Sequence, residues 1–118
     1  MIRGRLPAAA APYAEELTVM NTAIREAGAR ALQLARDGFE TMTKADHSPV
    51  TTADLEVNRI LHAALLTAFP EDGWLSEETA DMPDRATKRR VWILDPIDGT
   101  KYFMRGIPTY AISLALAV

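Results

Sequence analysis

Three observations predict an α/β fold. Apolar residues recur at helical spacing over two long stretches, a short continuous apolar run ends in an acidic Pro/Gly turn, and the last residues alternate with period two. From Tyr13 to Arg36, Leu17, Met20, Ile24, Ala27, Ala31 and Leu34 lie three or four apart, the stripe of an amphipathic helix that Gly38 would cap. A second helix is predicted from about Thr51 to Phe69, with Val57, Ile60, Leu61, Ala64, Leu65 and Ala68 on its buried side and Pro70 ending it. Thr41 to Val50, between them, reads as a loop or short hairpin.

Beyond Pro70, Gly73 to Ser76 is a short strand candidate, and Val91-Trp92-Ile93-Leu94 is the kind of run found in a strand covered on both faces. Ala80 to Arg90 is polar and predicts a surface loop. Tyr110, Ile112, Leu114, Leu116 and Val118 then alternate with small or polar residues, strand patterning still running at the last residue.

The 118 residues suffice for one small core, and 48% hydrophobic with 25% charged residues is an ordinary globular composition. A formal net charge of −3 offers nucleic acid no general attraction, so an anionic ligand must be held locally. The absence of cysteine excludes disulfides, thiolate metal sites and a cysteine nucleophile. No apolar run has the length of a membrane span, and residues 1–12 are expected to be a flexible tail on a cytoplasmic protein.

Asp95-Pro96-Ile97-Asp98-Gly99-Thr100 carries the strongest chemical signal. Two carboxylates three residues apart at a strand's C-terminal edge can share one small space, and hard cations prefer oxygen donors. Gly99 lets the backbone approach a ligand, and Thr100 offers a hydroxyl and an amide where a helix begins. The same hexapeptide also suits a simple turn. Glu77-Glu78 follows the other short strand and meets Asp95 and Asp98 only if the two strands are neighbours; alone, it is an ordinary solvated pair. Thr51 to Asp54 fits a capping box, with Asp54 favoured by the helix dipole. His47 and His62 lack a second histidine at ligand spacing, Trp74 and Trp92 read as core, and Lys88-Arg89-Arg90 reads as a solvated edge.

Three ordered segments resemble the inositol monophosphatase superfamily: Lys44-Ala45-Asp46 with Ser48 to Asp54, Trp74 to Glu78, and Trp92 to Thr100. The resemblance runs from about Glu15 to Val118 and implies the N-terminal α+β half of the layered sugar-phosphatase fold, two helices over one face of a mixed sheet. It implies Mg²⁺-dependent hydrolysis of a small phosphate monoester by a metal-activated water, with inositol monophosphate, 3′-phosphoadenosine 5′-phosphate and histidinol phosphate as candidate substrates. Asp72 to Thr79 tilts this slightly toward the nucleotidase branch.

By the same resemblance Glu77, Asp95, Asp98 and the Ile97 carbonyl would hold Mg²⁺, and Gly99 and Thr100 the phosphate. Asp54 and Thr100 would orient and deprotonate the water, with Lys44, Asp46 and Glu78 in support. The family's further metal-binding aspartate, in a tryptophan-aspartate motif, has no counterpart before Val118. The expectation is therefore a domain over 13–118 that is incomplete at its C-terminus, either a fragment of a longer protein or a truncated product of weak or no activity. Tyr102 stands where inositol phosphatases often carry asparagine and leaves the branch open. The expected partners are the small phosphorylated substrate and, as an option, a second copy of the chain, with no nucleic-acid polymer and no membrane. The reading from another class is a non-catalytic metal-binding or interaction module, motivated by the apolar final strand.

Overall fold

Helix α1 (Ala14–Asp37) and helix α2 (Thr52–Ala68) lie against each other and on one face of a three-stranded sheet. The structure is a computed structural model and describes Gly4 and residues 12–118; the tail expected at 1–12 otherwise falls outside the described residues. The facing stripe of α1 is Ala23, Ala27 and Ala31, all buried, whose small side chains let α2 approach closely with Val57, Leu61 and Leu65. Leu17 departs from expectation: it is 56% exposed, at the margin of that alanine stripe. Ala68 is also exposed, because it sits in the last turn of α2, where the helix leaves the sheet. No described helix is long and apolar enough to cross a membrane.

The two helices are joined by a hairpin of β1 (Thr41–Thr43) and β2 (Pro49–Thr51), paired antiparallel with Thr41 opposite Thr51. Its tip closes through Lys44 N–H to the Ser48 carbonyl (2.8 Å), and His47 takes a positive φ of 68° there. Thr51 caps α2 as its pattern predicts. Its Oγ1 accepts from the amides of Ala53 (3.1 Å) and Asp54 (3.4 Å), while its own amide donates to Asp54 Oδ2 (2.8 Å).

The main sheet has the order β3 (Gly73–Ser76), β4 (Val91–Asp98), β5 (Ala111–Ala117), with β3 parallel and β5 antiparallel to β4. The β3–β4 connection contains a 3₁₀ turn at Pro83–Thr87 within the loop expected from Ala80 to Arg90. Trp74, Trp92 and Leu94 face the helices in the core; Ile112, Leu114 and Leu116 pack against it from β5. Among the described residues nothing covers the opposite face: Ile93 is 41% exposed and Ala115 is exposed. The expectation of a β4 covered on both faces is therefore corrected, since both long helices lie on the same side.

Strand β4 changes phase near its end. Trp92, Leu94 and Pro96 are buried on alternate positions, but Ile97 is buried directly after Pro96, and the pairing to β5 slips between Asp95 and Asp98. Pro96 lacks an N–H and suits such an irregular position, beyond the last β3 pairing at Ser76 and Leu94. Asp95 and Asp98, which regular alternation would send to opposite faces, consequently border the same space.

Lys88-Arg89-Arg90 is only partly the solvated edge it resembles. Arg90 bonds Glu16 at 2.8 Å and Asp72 at 3.0 Å, lies over the Phe69 ring, and thereby ties the start of α1 to the start of β4. Asp72 also accepts from Trp92 Nε1 at 2.9 Å, and the nearby pairing explains why these acids tolerate partial burial. Arg90 Nε is the buried side-chain polar atom without a partner among the described residues.

Candidate active site

The C-terminal ends of parallel strands β3 and β4 meet at one edge, because Ser76 pairs with Leu94 and each is followed by an acid. Glu77 and Asp95 thus come from adjacent strand ends, the place where open α/β sheets bind ligands. Together with the Asp98, Ile97 and Gly99 positions and the start of helix α3 (Thr100–Met104), they line a cleft of about 340 Å³. Lys44, Ser48 and Pro49 from the hairpin close one side, and Lys101 and Tyr102 another.

A larger groove, about 680 Å³, runs between the helices and is lined by Arg30, Phe39, Leu55, Glu56 and Arg59 among others. Of its two acids, Glu56 is already bonded to Arg59 at 2.7 Å and Glu40 stands alone, without a second free carboxylate beside it among the described residues. The smaller cleft has the chemistry: among the described residues Glu77, Asp95 and Asp98 form no ion pair. The carboxyl of Asp95 is pushed above its ordinary value, first by burial and then by the charges of Glu77, Asp98, Asp54 and Glu78.

Asp54 lies beneath the cleft, buried, held from below by the capping box and by Thr51 Oγ1 donating to its Oδ2 at 2.7 Å. That leaves Oδ1 to face Thr100, whose Oγ1 stands 2.9 Å away although 46 residues separate the two. Thr100 Oγ1 is also 3.1 Å from the Ile97 carbonyl. Its one proton serves a single acceptor at a time, so with Asp54 accepting, the hydroxyl lone pairs are free for a donor in the cleft.

Helix α3 is too short to hold itself in place. Phe103 does so from below, 1% exposed, with ring centroids 4.9 Å from Phe39 and 5.0 Å from Tyr110. Gly99 enters α3 with φ 94°, and a Cβ there would stand 3.0 Å from the Thr109 carbonyl oxygen. Both backbone conformation and space require glycine at this position.

Of the supporting residues, Lys44 Nζ donates to Glu78 Oε1 at 2.6 Å. The Glu78 hydrogen bond raises the Lys44 pKa, so the ammonium stays charged beside the cleft. Asp46 is outside it. Its Oδ1 accepts from the Ser48 amide and hydroxyl, which fixes the hairpin tip and holds the Asp46 carboxyl below its usual range. His62 stacks edge-on against Trp74, 5.0 Å between centroids, as a packing residue.

The oxygen-rich donor set of Glu77, Asp95, Asp98 and the Ile97 carbonyl has the chemistry of a hard-cation site. Among the described residues no three Asp, Glu, His or Cys side chains are already drawn into a metal cage. Burial first, and then the neighbouring carboxylates, raise Asp95, and a divalent cation relieves both by pairing with the charged form. The residues present therefore fit such an ion.

Sequence reasoning missed Asn58, Thr79 and Phe103. Asn58 lies one helical turn beyond Asp54, and that i, i+4 spacing was the available signal.

Known proteins resemble this chain over most of its length. The pattern of the inositol monophosphatase family matches residues 13–118. A histidinol-phosphatase of Chlorobaculum parvum is 37% identical over 83 residues, covering 70% of this chain and 31% of its own length. An inositol-1-monophosphatase of Rhizobium meliloti is 38% identical over 105 residues, covering 85% of this chain and 38% of its own length. Among solved structures, the extragenic suppressor protein suhB of Bartonella henselae superposes with a TM-score of 0.78 at 30% identity, covering 86% of this chain and 40% of that one. The chain thus spans roughly a third of the length of these curated relatives, 31% and 38%. With the family pattern matched from 13 to 118, the chain belongs to the inositol monophosphatase family.

Proposed function

We propose that this chain carries catalytic groups of a Mg²⁺-dependent phosphatase acting on a small phosphate monoester. The observation that supports it most is the 2.9 Å contact between Thr100 Oγ1 and buried Asp54 Oδ1, set under a cleft where Glu77, Asp95 and Asp98 have no ion pair among the described residues. Glu77, Asp95, Asp98 and the Ile97 carbonyl would hold Mg²⁺, which when bound neutralises phosphate charge and acidifies water.

The chain's own groups then divide the remaining work. Thr100, donating to Asp54, accepts the proton of a water in the cleft, and Asp54 is the base behind it. Gly99, bare of side chain, lets a phosphate oxygen approach the backbone at the start of α3. Lys44, charged and tied to Glu78, and Lys101 offset the dianion. The names of the relatives, inositol-1-monophosphatase and histidinol-phosphatase, favour those two phosphates as first substrates over 3′-phosphoadenosine 5′-phosphate.

Phosphate release from both compounds, with Mg²⁺ and with chelator, tests the proposal. Release should vanish with chelator, and Asp54→Asn should lower the rate by about 10²–10⁴, the usual range for a lost proton acceptor. A second reading, an interaction module without turnover, is favoured by the uncovered sheet face at Ile93 and Ala115. An inert wild-type chain whose thermal midpoint ignores both Mg²⁺ and chelator would support that reading instead.

A further inference from the structure

Asn58 projects from α2 one turn beyond Asp54 and meets the acidic turn from both ends. Its Oδ1 accepts from Ser76 Oγ at 2.6 Å, and its Nδ2 donates to Thr79 Oγ1 at 2.9 Å. The residues between Ser76 and Thr79 are Glu77 and Glu78. Two further bonds complete the frame. The Glu78 amide donates to Ser76 Oγ at 3.3 Å, and Trp74 Nε1 donates to Thr79 Oγ1 at 3.3 Å. One side-chain amide, using an acceptor and a donor, therefore bridges the two hydroxyls that flank the acids.

We infer that Asn58 is a positioning residue that holds the Glu77-Glu78 turn over the cleft, so that helix α2 sets both Asp54 and the acids of β3's end. The inference rests on the reading of the cleft as a Mg²⁺ site. Without the bridge, the side-chain ties from other elements left to the turn among the described residues would be those of Trp74 on β3 and of Lys44 on the hairpin, neither of them from a helix. With it, a cation meets a turn already ordered, and the entropy of ordering that turn is not charged to binding. Outer partners of this kind typically change metal affinity by tenfold to a hundredfold.

Three variants of the full chain test this: Asn58→Leu, the near-isosteric Thr79→Val, and Thr79→Ser, which keeps the hydroxyl. The first readout needs no metal. Amide hydrogen exchange at Glu78 in chelator should quicken by about tenfold or more in Asn58→Leu and Thr79→Val relative to the Trp92 amide, and return to the wild-type rate in Thr79→Ser. The second is Mg²⁺ affinity by calorimetry, expected to weaken by about 10–100-fold in the first two variants and to be restored in Thr79→Ser. Should Asn58→Leu fail to fold, the Thr79 pair carries both readouts. Unchanged exchange at Glu78 overturns the inference, as does faster exchange with undiminished Mg²⁺ affinity. A wild-type chain that binds no Mg²⁺ overturns the metal reading itself, and the exchange result alone then decides whether Asn58 holds the turn.

Discussion

The two ends of β4 handle negative charge in opposite ways. At its start, Glu16 and Asp72 converge on Arg90, and every carboxylate there has a protein cation within 3.0 Å. At its finish, Glu77, Asp95 and Asp98 share a cleft with no ion pair of their own among the described residues, and Lys44 is engaged by Glu78. The first arrangement is complete without a ligand, and the second is not. A fold that neutralises acids so fully at one end of a strand can do so at the other; leaving them unpaired there is what the cation and phosphate site proposed above requires.

The largest effect belongs to the completed end. Trp92→Ala removes a side chain with 0% exposure, together with its bond to Asp72, and should cost about 3–5 kcal/mol in urea unfolding. A cost near zero would mean that this end is not the anchor described.

Arg90→Met should destabilise less, and with a particular pH dependence. Arg90's hydrogen bond lowers the Glu16 pKa, so the bond contributes fully above the unfolded carboxylate value and is lost as pH falls through the folded one. Melting curves of wild type and variant should therefore differ at neutral pH and converge in acid. Parallel curves across that range would assign the loss to packing on Phe69 instead.

The smallest effect has the opposite sign. Asp95 has a raised pKa, so ionising it costs the folded state; the cost is absent below the unfolded value, grows through the carboxylate range and is complete above the folded pKa. Asp95→Asn should then raise the thermal midpoint of the metal-free chain at neutral pH and abolish its response to Mg²⁺. A lower midpoint in the variant would show Asp95 to be structurally satisfied, and the contrast between the two ends would fail.

How much of this was legible depended on distance along the chain. The capping box needed only Thr51 to Asp54, so local chemistry was enough, and the helical spacings found both long helices. Asp54 meeting Thr100 across 46 residues has no local signature and came only through family resemblance. Asn58 was missed because a polar residue on a helix is ordinarily solvent-facing, and its partners Ser76 and Thr79 look like any loop hydroxyls. Arg90 was misread for a similar reason: its two basic neighbours in sequence, Lys88 and Arg89, suggest an edge, and nothing local reveals Glu16, 74 residues away. Ile93 has the composition of a covered strand; which faces the helices cover is set by the path of the chain rather than by the strand's own residues.

The phase change at Pro96 and Ile97 carries a consequence for how this segment tolerates mutation. A substitution here alters one side chain, but the count of residues between Asp95 and Asp98 sets how the two acids face each other and cannot change. Deleting or inserting a single residue would rotate Asp98 relative to Asp95 and carry Gly99 and Thr100 out of register with Asp54. In a scan of insertions and deletions along the chain, this stretch should therefore be far less permissive than the polar loop before β4, although both are short segments rich in turn-forming residues.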